Sequence, residues 1–99
     1  MKVNINSVHF KADSKLTAFI NEKIGKLSHL YDRVIGSDVV LKVDNSDTPK
    51  NKIAEIRLKL RGNDLYAKKQ CKTFEEATDT AVDALRKQLS KHKSKIKNR

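Results

Sequence analysis

Residues 52–61 constrain this chain more than any other stretch. Within Lys52 to Arg61 apolar and charged residues alternate from Ala54 onward, with Ala54, Ile56, Leu58 and Leu60 on one side and Glu55, Arg57, Lys59 and Arg61 on the other. Successive side chains of a strand point to opposite faces, so this is a half-buried antiparallel strand. One face of its sheet must be covered and the other can stay wet. Gly62-Asn63-Asp64 supplies a tight turn, and Leu65 to Lys72 forms the return strand.

The covering layer is found at the two ends of the chain. Before the hairpin, Val3-Asn4-Ile5-Asn6 alternates and Val8 to Phe10 continues it, so residues 2–10 read as a first strand. Asp13 is a good N-cap for a helix over about residues 14–30, with Leu16, Phe19, Ile20, Ile24, Leu27, Leu30 and Tyr31 on its apolar side. Ile35-Gly36-Ser37 breaks the pattern, and Asp38–Asp44 reads as a second strand. Residues 45–51, with Ser46, Asp47, Thr48 and Pro49, are a loop by composition. After the hairpin, Phe74, Ala77, Ala81, Leu85, Leu89 and Ile96 recur at helical spacing. The predicted order is β-α-β-β-β-α, an α+β fold with two helices packed on one face of a four-stranded sheet. Ninety-nine residues suit one domain, 1–99, with a basic end at 94–99 that is expected to fray.

Charge narrows the function. The formal net charge is +10, and the excess is spread along the whole chain, which favours a polyanionic partner. The last helix is sorted: Glu75, Glu76, Asp79 and Asp83 come first, then Arg86, Lys87, Lys91, Lys93, Lys95, Lys97 and Arg99. Acids at the start and bases at the end suit the helix dipole, but so long a basic run exceeds what a cap requires. If helical throughout, residues 86–99 extend roughly 20 Å, enough to meet several phosphates. On a helical wheel Lys87, Lys91 and Lys95 line one flank of the apolar stripe, and Arg86, Lys93 and Lys97 the other. The alternative is a solvated terminus whose charges aid solubility. Lys23 falls inside the first helix's stripe, either snorkelling to water or held near a site, with Lys15 and Lys26 on the adjoining flank.

Other chemistry finds little support. His9, His29 and His92 lie on different elements without metal-ligand spacing, and Gly25, Gly36 and Gly62 stand apart, so neither a metal nor a phosphate-cradling loop is expected. No nucleophile elbow is present. An enzyme, a cofactor and a small-molecule substrate are therefore not expected. Cys71, the single cysteine, sits in a strand as a structural thiol and fits a reducing cytoplasm. No run is long and apolar enough for a membrane span, no secretory signal opens the chain, and no Trp is available as a membrane anchor. The aromatics Tyr31, Tyr66, Phe10, Phe19 and Phe74 mostly fall at apparent core positions, so a base-stacking sheet is not expected. Lysines borne on helices suit the shape and phosphates of folded RNA.

Two runs of residues bring a known family into view. Leu16, Ile20, Lys23, Ile24, Lys26 and Leu27 fit the pattern L-x-x-x-[IV]-x-x-[KR]-[IL]-x-K-L. Ala77, Asp79, Asp83, Leu85, Gln88, Leu89, Lys91 and Lys93 fit A-x-D-x-x-x-[DN]-x-L-x-x-Q-L-x-K-x-K. In order around three strands, they make the chain resemble the ribosome hibernation promoting factor family, also called ribosome-associated inhibitors. The resemblance implies a double-stranded-RNA-binding-like fold. It also implies a cytoplasmic protein that binds ribosomal RNA of the small ribosomal subunit near the decoding centre. There it would block mRNA and tRNA and inhibit translation in starvation or stationary phase. The matching RNA-contacting positions are Lys23, Lys26, Lys87 and Lys91; Arg86, Lys93 and Lys95 join them from the charge run. The family often has D-x-Y-A-A-I-D where this chain has Thr73, Glu75, Glu76 and Thr78 at four of the positions, so a contact by that tyrosine is not carried over. Asp13-Ser14 replaces a Thr-Pro start, an exchange of caps. Ending at Arg99, the chain resembles the short type, expected to be a monomer when free. The competing reading is a general RNA- or DNA-binding regulator, a transcription modulator with the same fold.

Overall fold

A computed structural model describes residues 2–31, 33–45 and 48–97, with side chains as far as Lys91. Its elements are β1 (Lys2–Ser7), α1 (Ser14–Leu30), β2 (Val34–Val43), β3 (Lys52–Leu60), β4 (Asn63–Cys71) and α2 (Phe74–Lys97). The strands lie in the order β1-β2-β3-β4. β1 pairs parallel with β2, and α1 supplies the crossover that a parallel pair needs. The two other pairs are antiparallel. This is the β-α-β-β-β-α sheet-and-helix arrangement that the residue pattern predicts.

The helices start where the chain can satisfy their free N–H groups. The Asp13 carboxylate accepts from the Leu16 N–H at 2.8 Å, capping α1. Thr73 does the same for α2, its hydroxyl accepting from the Glu76 N–H at 3.0 Å. Thr73-x-x-Glu76 is a capping-box sequence, and Glu75 and Glu76 sit in the first turn where the helix dipole favours them.

Both helices contribute to one core with the inner face of the sheet. Leu16, Ile20, Ile24 and Leu27 of α1 meet Ala77, Ala81, Val82, Leu85 and Leu89 of α2, over Val39, Leu41, Ala54, Ile56, Leu58, Leu60 and Ala67. Each Leu or Ile so buried contributes about 1.5–3 kcal/mol relative to exposure. The register explains the choice of face: Val39 stands opposite Ile56 and Ile56 opposite Ala67, so one row of each strand points inward together. Cys71 ends β4, buried and in no disulfide.

Three boundaries differ from the sequence reading. β1 stops at Ser7 because the chain turns at His9, whose φ of 64° is in the left-handed region. That turn brings the Phe10 ring onto Phe74 at the start of α2, with centroids 4.9 Å apart and nearly parallel planes. β2 starts at Val34, not Asp38, because Ile35-Gly36-Ser37 is a bulged strand and not a break. Glycine eases the fit there, since a Cβ would lie 3.3 Å from the Lys2 carbonyl oxygen, a tight contact. The hairpin turn falls one residue earlier, at Arg61-Gly62, with φ of 81° at Gly62, so Asn63 and Asp64 belong to β4.

The core holds one misfit. Thr78 is fully buried and its hydroxyl has no hydrogen-bond partner, the one such side-chain atom among the described residues. Leaving a buried hydroxyl unsatisfied costs about 1–3 kcal/mol, and Val has nearly the same shape. Thr78→Val is therefore expected to stabilise the fold by about 1 kcal/mol, raising the melting temperature by about 5 °C in a domain of this size. Thermal melts followed by circular dichroism measure it, and an unchanged or lower midpoint would show that the hydroxyl is satisfied.

Candidate nucleic-acid interface

The basic residues singled out from the sequence fall in three places. Lys23 lies at the seam of the two helices, where its Nζ is 3.2 Å from Asp79 Oδ1 of α2 and 5.4 Å above the Phe19 ring. It neither snorkels freely nor sits buried; its side chain is 30% exposed and held on both sides. Lys26 is exposed on the outer side of α1, its Nζ 3.9 Å from Glu22 one turn back. Arg86 is exposed on α2, seven residues from Asp79 and so on the same flank, the one that faces α1. Lys23 and Arg86 thus border the seam, while Lys26 stands on the outer side of α1.

Lys87 and Lys91 are exposed and one turn apart, further round α2. The Gln88 amide donates to the Tyr66 carbonyl oxygen at 3.1 Å, which shows that this side of the helix looks toward β4. Lys87 Nζ is 3.4 Å from Asp83, an exposed pair at i,i+4. The α2 backbone continues to Lys97, so Lys93 and Lys95 stand on the same helix, but their side chains lie outside the described residues. The side chains of the whole basic end at 94–99 lie outside them too.

These pairings leave the cations available. Exposed ion pairs are worth at most about 1 kcal/mol, because water already solvates both partners. A phosphate can replace Asp83 or Glu22 at little loss. Lys23 differs, since a ligand there competes with both the Asp79 carboxylate and the Phe19 ring face.

The wet face of the sheet is more ordered than its exposure suggests. Glu55 on β3 pairs with Lys42 on β2 and accepts from the Tyr66 hydroxyl of β4 at 3.0 Å. The Lys42 bond holds the Glu55 carboxyl below its ordinary range; burial opposes this and the Tyr66 bond assists it. Asp38 accepts from the Asn4 amide at 3.1 Å and pairs with Lys59 at 3.1 Å, and these two, Asn4 first, lower its pKa. Desolvation first, then the bond to Glu55, raises the Tyr66 phenol, so the ring is neutral across the physiological range.

Sequence reading missed this face. It grouped Tyr66 with the core aromatics, whereas Tyr66 is 49% exposed on the outer side. The signal was present: Tyr66 alternates with Leu65 and Ala67, whose side chains point inward. Arg57 and Lys68 lie on the same outer side, both exposed. Among the described residues no group of His, Cys, Asp and Glu could hold a metal ion. No described helix is long and apolar enough to cross a membrane.

Comparison with known proteins gives a consistent pattern. Residues 3–97 match the family described as Sigma 54 modulation protein / S30EA ribosomal protein. The ribosome hibernation promoting factors of Klebsiella oxytoca and Escherichia coli K12 are each 30% identical over 97 residues, covering 98% of this chain and 98% of theirs. That of Pseudomonas putida is 28% identical, covering 96% of this chain and 89% of its own. In fold, the chain is similar to a ribosomal subunit interface protein from Coxiella burnetii, with a TM-score of 0.83 at 18% identity over 95% of this chain and 99% of that one. The Thermus thermophilus Protein Y N-terminal domain follows at 0.76 and 22%, over 92% and 94%.

Proposed function

The chain belongs to the Sigma 54 modulation protein / S30EA ribosomal protein family, and from that premise we propose that it is a ribosome hibernation factor. The family is one of ribosome-associated factors and not a known enzyme family. In this reading the protein binds ribosomal RNA of the small subunit near the decoding centre and excludes mRNA and tRNA. Translation is thereby idled in starvation or stationary phase. The observation that carries the reading is the end-to-end match to hibernation promoting factors.

The mechanism needs no bond to be made or broken. Lys26, Arg86, Lys87 and Lys91, with Lys93 and Lys95 further along α2, neutralise phosphates and release the counterions condensed on them, which supplies most of the affinity. Lys23 contributes from the seam once a phosphate displaces Asp79. Helix-borne lysines read shape and phosphate position more than sequence, which suits a fixed site on folded RNA. Residues 1–99 act as one ribosome-binding domain, and inhibition is then steric: the folded body occupies space that mRNA and tRNA need.

The test is competition. Purified protein, added to isolated small subunits, is expected to displace initiator tRNA in a filter-binding assay, and the displacement weakens as salt rises. The other half of the family description, sigma 54 modulation, favours a second reading as a transcription regulator. If the protein binds naked duplexes as well as it binds subunits and leaves tRNA binding unchanged, the second reading wins.

A further inference from the structure

We propose that the open face of the sheet is a second RNA-contacting surface, on which Tyr66 stacks with an unpaired base while Arg57 and Lys68 hold the flanking phosphates. The proposal rests on the reading that this chain binds RNA, and adds a surface on the side of the sheet opposite the helices.

The register builds the platform. Asn4, Asp38, Arg57 and Tyr66 stand in one cross-strand row, directly opposite one another in turn. The neighbouring row is Asn6, Val40, Glu55 and Lys68. Paired residues share a face, so Arg57 lies beside the Tyr66 ring across the ladder, and Lys68 lies about 7 Å along β4 from it. The Tyr66 hydroxyl is bound to Glu55, and Glu55 is bound to Lys42, so the ring is fixed before any ligand arrives. A ring held in place with about half its surface in water is what a base needs to stack on, and it loses little entropy on binding.

The charge on this face selects a polyanion. Lys2, Lys42, Arg57, Lys59 and Lys68 stand against Asp38, Glu55 and Asp64. Asp38 and Glu55 are already neutralised by Lys59 and Lys42. Among the described residues Arg57 and Lys68 are in no ion pair, and they flank the exposed ring. A protein partner would want an apolar centre, but beside Tyr66 the exposed large apolar residues of the sheet are Ile35 and Val43, near opposite ends of β2. Unpaired RNA offers both the base to stack and the phosphates to pair. The molecule would then be wedged between two RNA segments, one on each layer.

The experiment is an NMR titration of the full chain, 15N-labelled, with an unstructured oligouridylate. Amide shifts are expected at Arg57, Tyr66 and Lys68. Tyr66→Ala is expected to weaken the oligouridylate about tenfold, whereas Tyr66→Phe, which keeps the ring, stays close to wild type. The Lys87→Glu, Lys91→Glu double variant is expected to leave the sheet shifts in place, which separates this surface from the helical one. Shifts confined to α1 and α2, with Tyr66→Ala binding like wild type, would overturn the proposal and leave the helix reading standing. Equal loss in Tyr66→Phe and Tyr66→Ala would also overturn it, because the hydroxyl and not the ring would then matter.

Discussion

Reversing Lys87 and Lys91 together is expected to weaken binding to small ribosomal subunits by about a hundredfold at physiological salt, while the protein stays folded. Each lysine that meets a phosphate contributes through counterion release, so replacing two with glutamate removes two contacts and adds two repulsions. The slope of log affinity against log salt is expected to become shallower by about two units, an effect that a loss of shape complementarity would not produce. Both side chains are exposed, and the described partner of Lys87 is the exposed Asp83 on its own helix. Replacing that lysine by an acid one turn from Asp83 costs about a few tenths of a kcal/mol. The measurement is co-sedimentation with purified subunits across a salt series, alongside a thermal melt of the free variant. Undiminished co-sedimentation of the folded double variant would remove this stretch of α2 from the interface.

The reasons why parts of this molecule were legible in its sequence are local ones. The alternation from Ala54 to Arg61 carried the sheet and its covered face, because successive side chains of a strand point to opposite faces. Asp13 and the Leu16, Ile20, Ile24, Leu27 spacing gave α1 its start and its buried side for an equally local reason. Thr73-x-x-Glu76 could have placed the start of α2 from sequence by the same logic. Gly36 was harder: read alone it breaks a strand, and only the pairing with β3, whose register shifts between Val34 and Gly36, shows that it continues a bulged one. The left-handed turn at His9 is set by where Phe10 must go to meet Phe74, far along the chain at the start of α2.

The candidate site divides along the same line. That Lys87 and Lys91 share a flank follows from helical spacing. That Lys23 is held by Asp79 does not, because nothing local links residues on two helices whose packing is decided by the core beneath them. The seam also recasts the sorted charge of α2. Its acidic first half is more than a cap, since Asp79 reaches across to α1 and pairs with Lys23. In the proposed reading the first half of α2 chiefly docks and the second half carries the phosphate-facing lysines, and the division falls near Leu85.

That division carries the largest expected stability effect. Leu85 is fully buried in the shared core, packed with the α1 stripe and the inner face of the sheet. Leu85→Ala removes the side chain's burial and leaves a cavity that flanking helix and strands only partly close, a loss of about 3 kcal/mol. Domains of this size are stable by about 5–15 kcal/mol, so much of the margin goes with one residue. The melting temperature is expected to fall by about 15 °C. Subunit binding below the new midpoint is expected to change little, since Leu85 faces away from solvent and the lysines beyond it keep their helix. The Lys87→Glu, Lys91→Glu variant is expected to do the reverse, with a melt close to wild type and binding lost. Circular dichroism melts and co-sedimentation on the same three proteins read both outcomes. A Leu85→Ala protein that melts within about 3 °C of wild type would mean that α2 is not docked through this face.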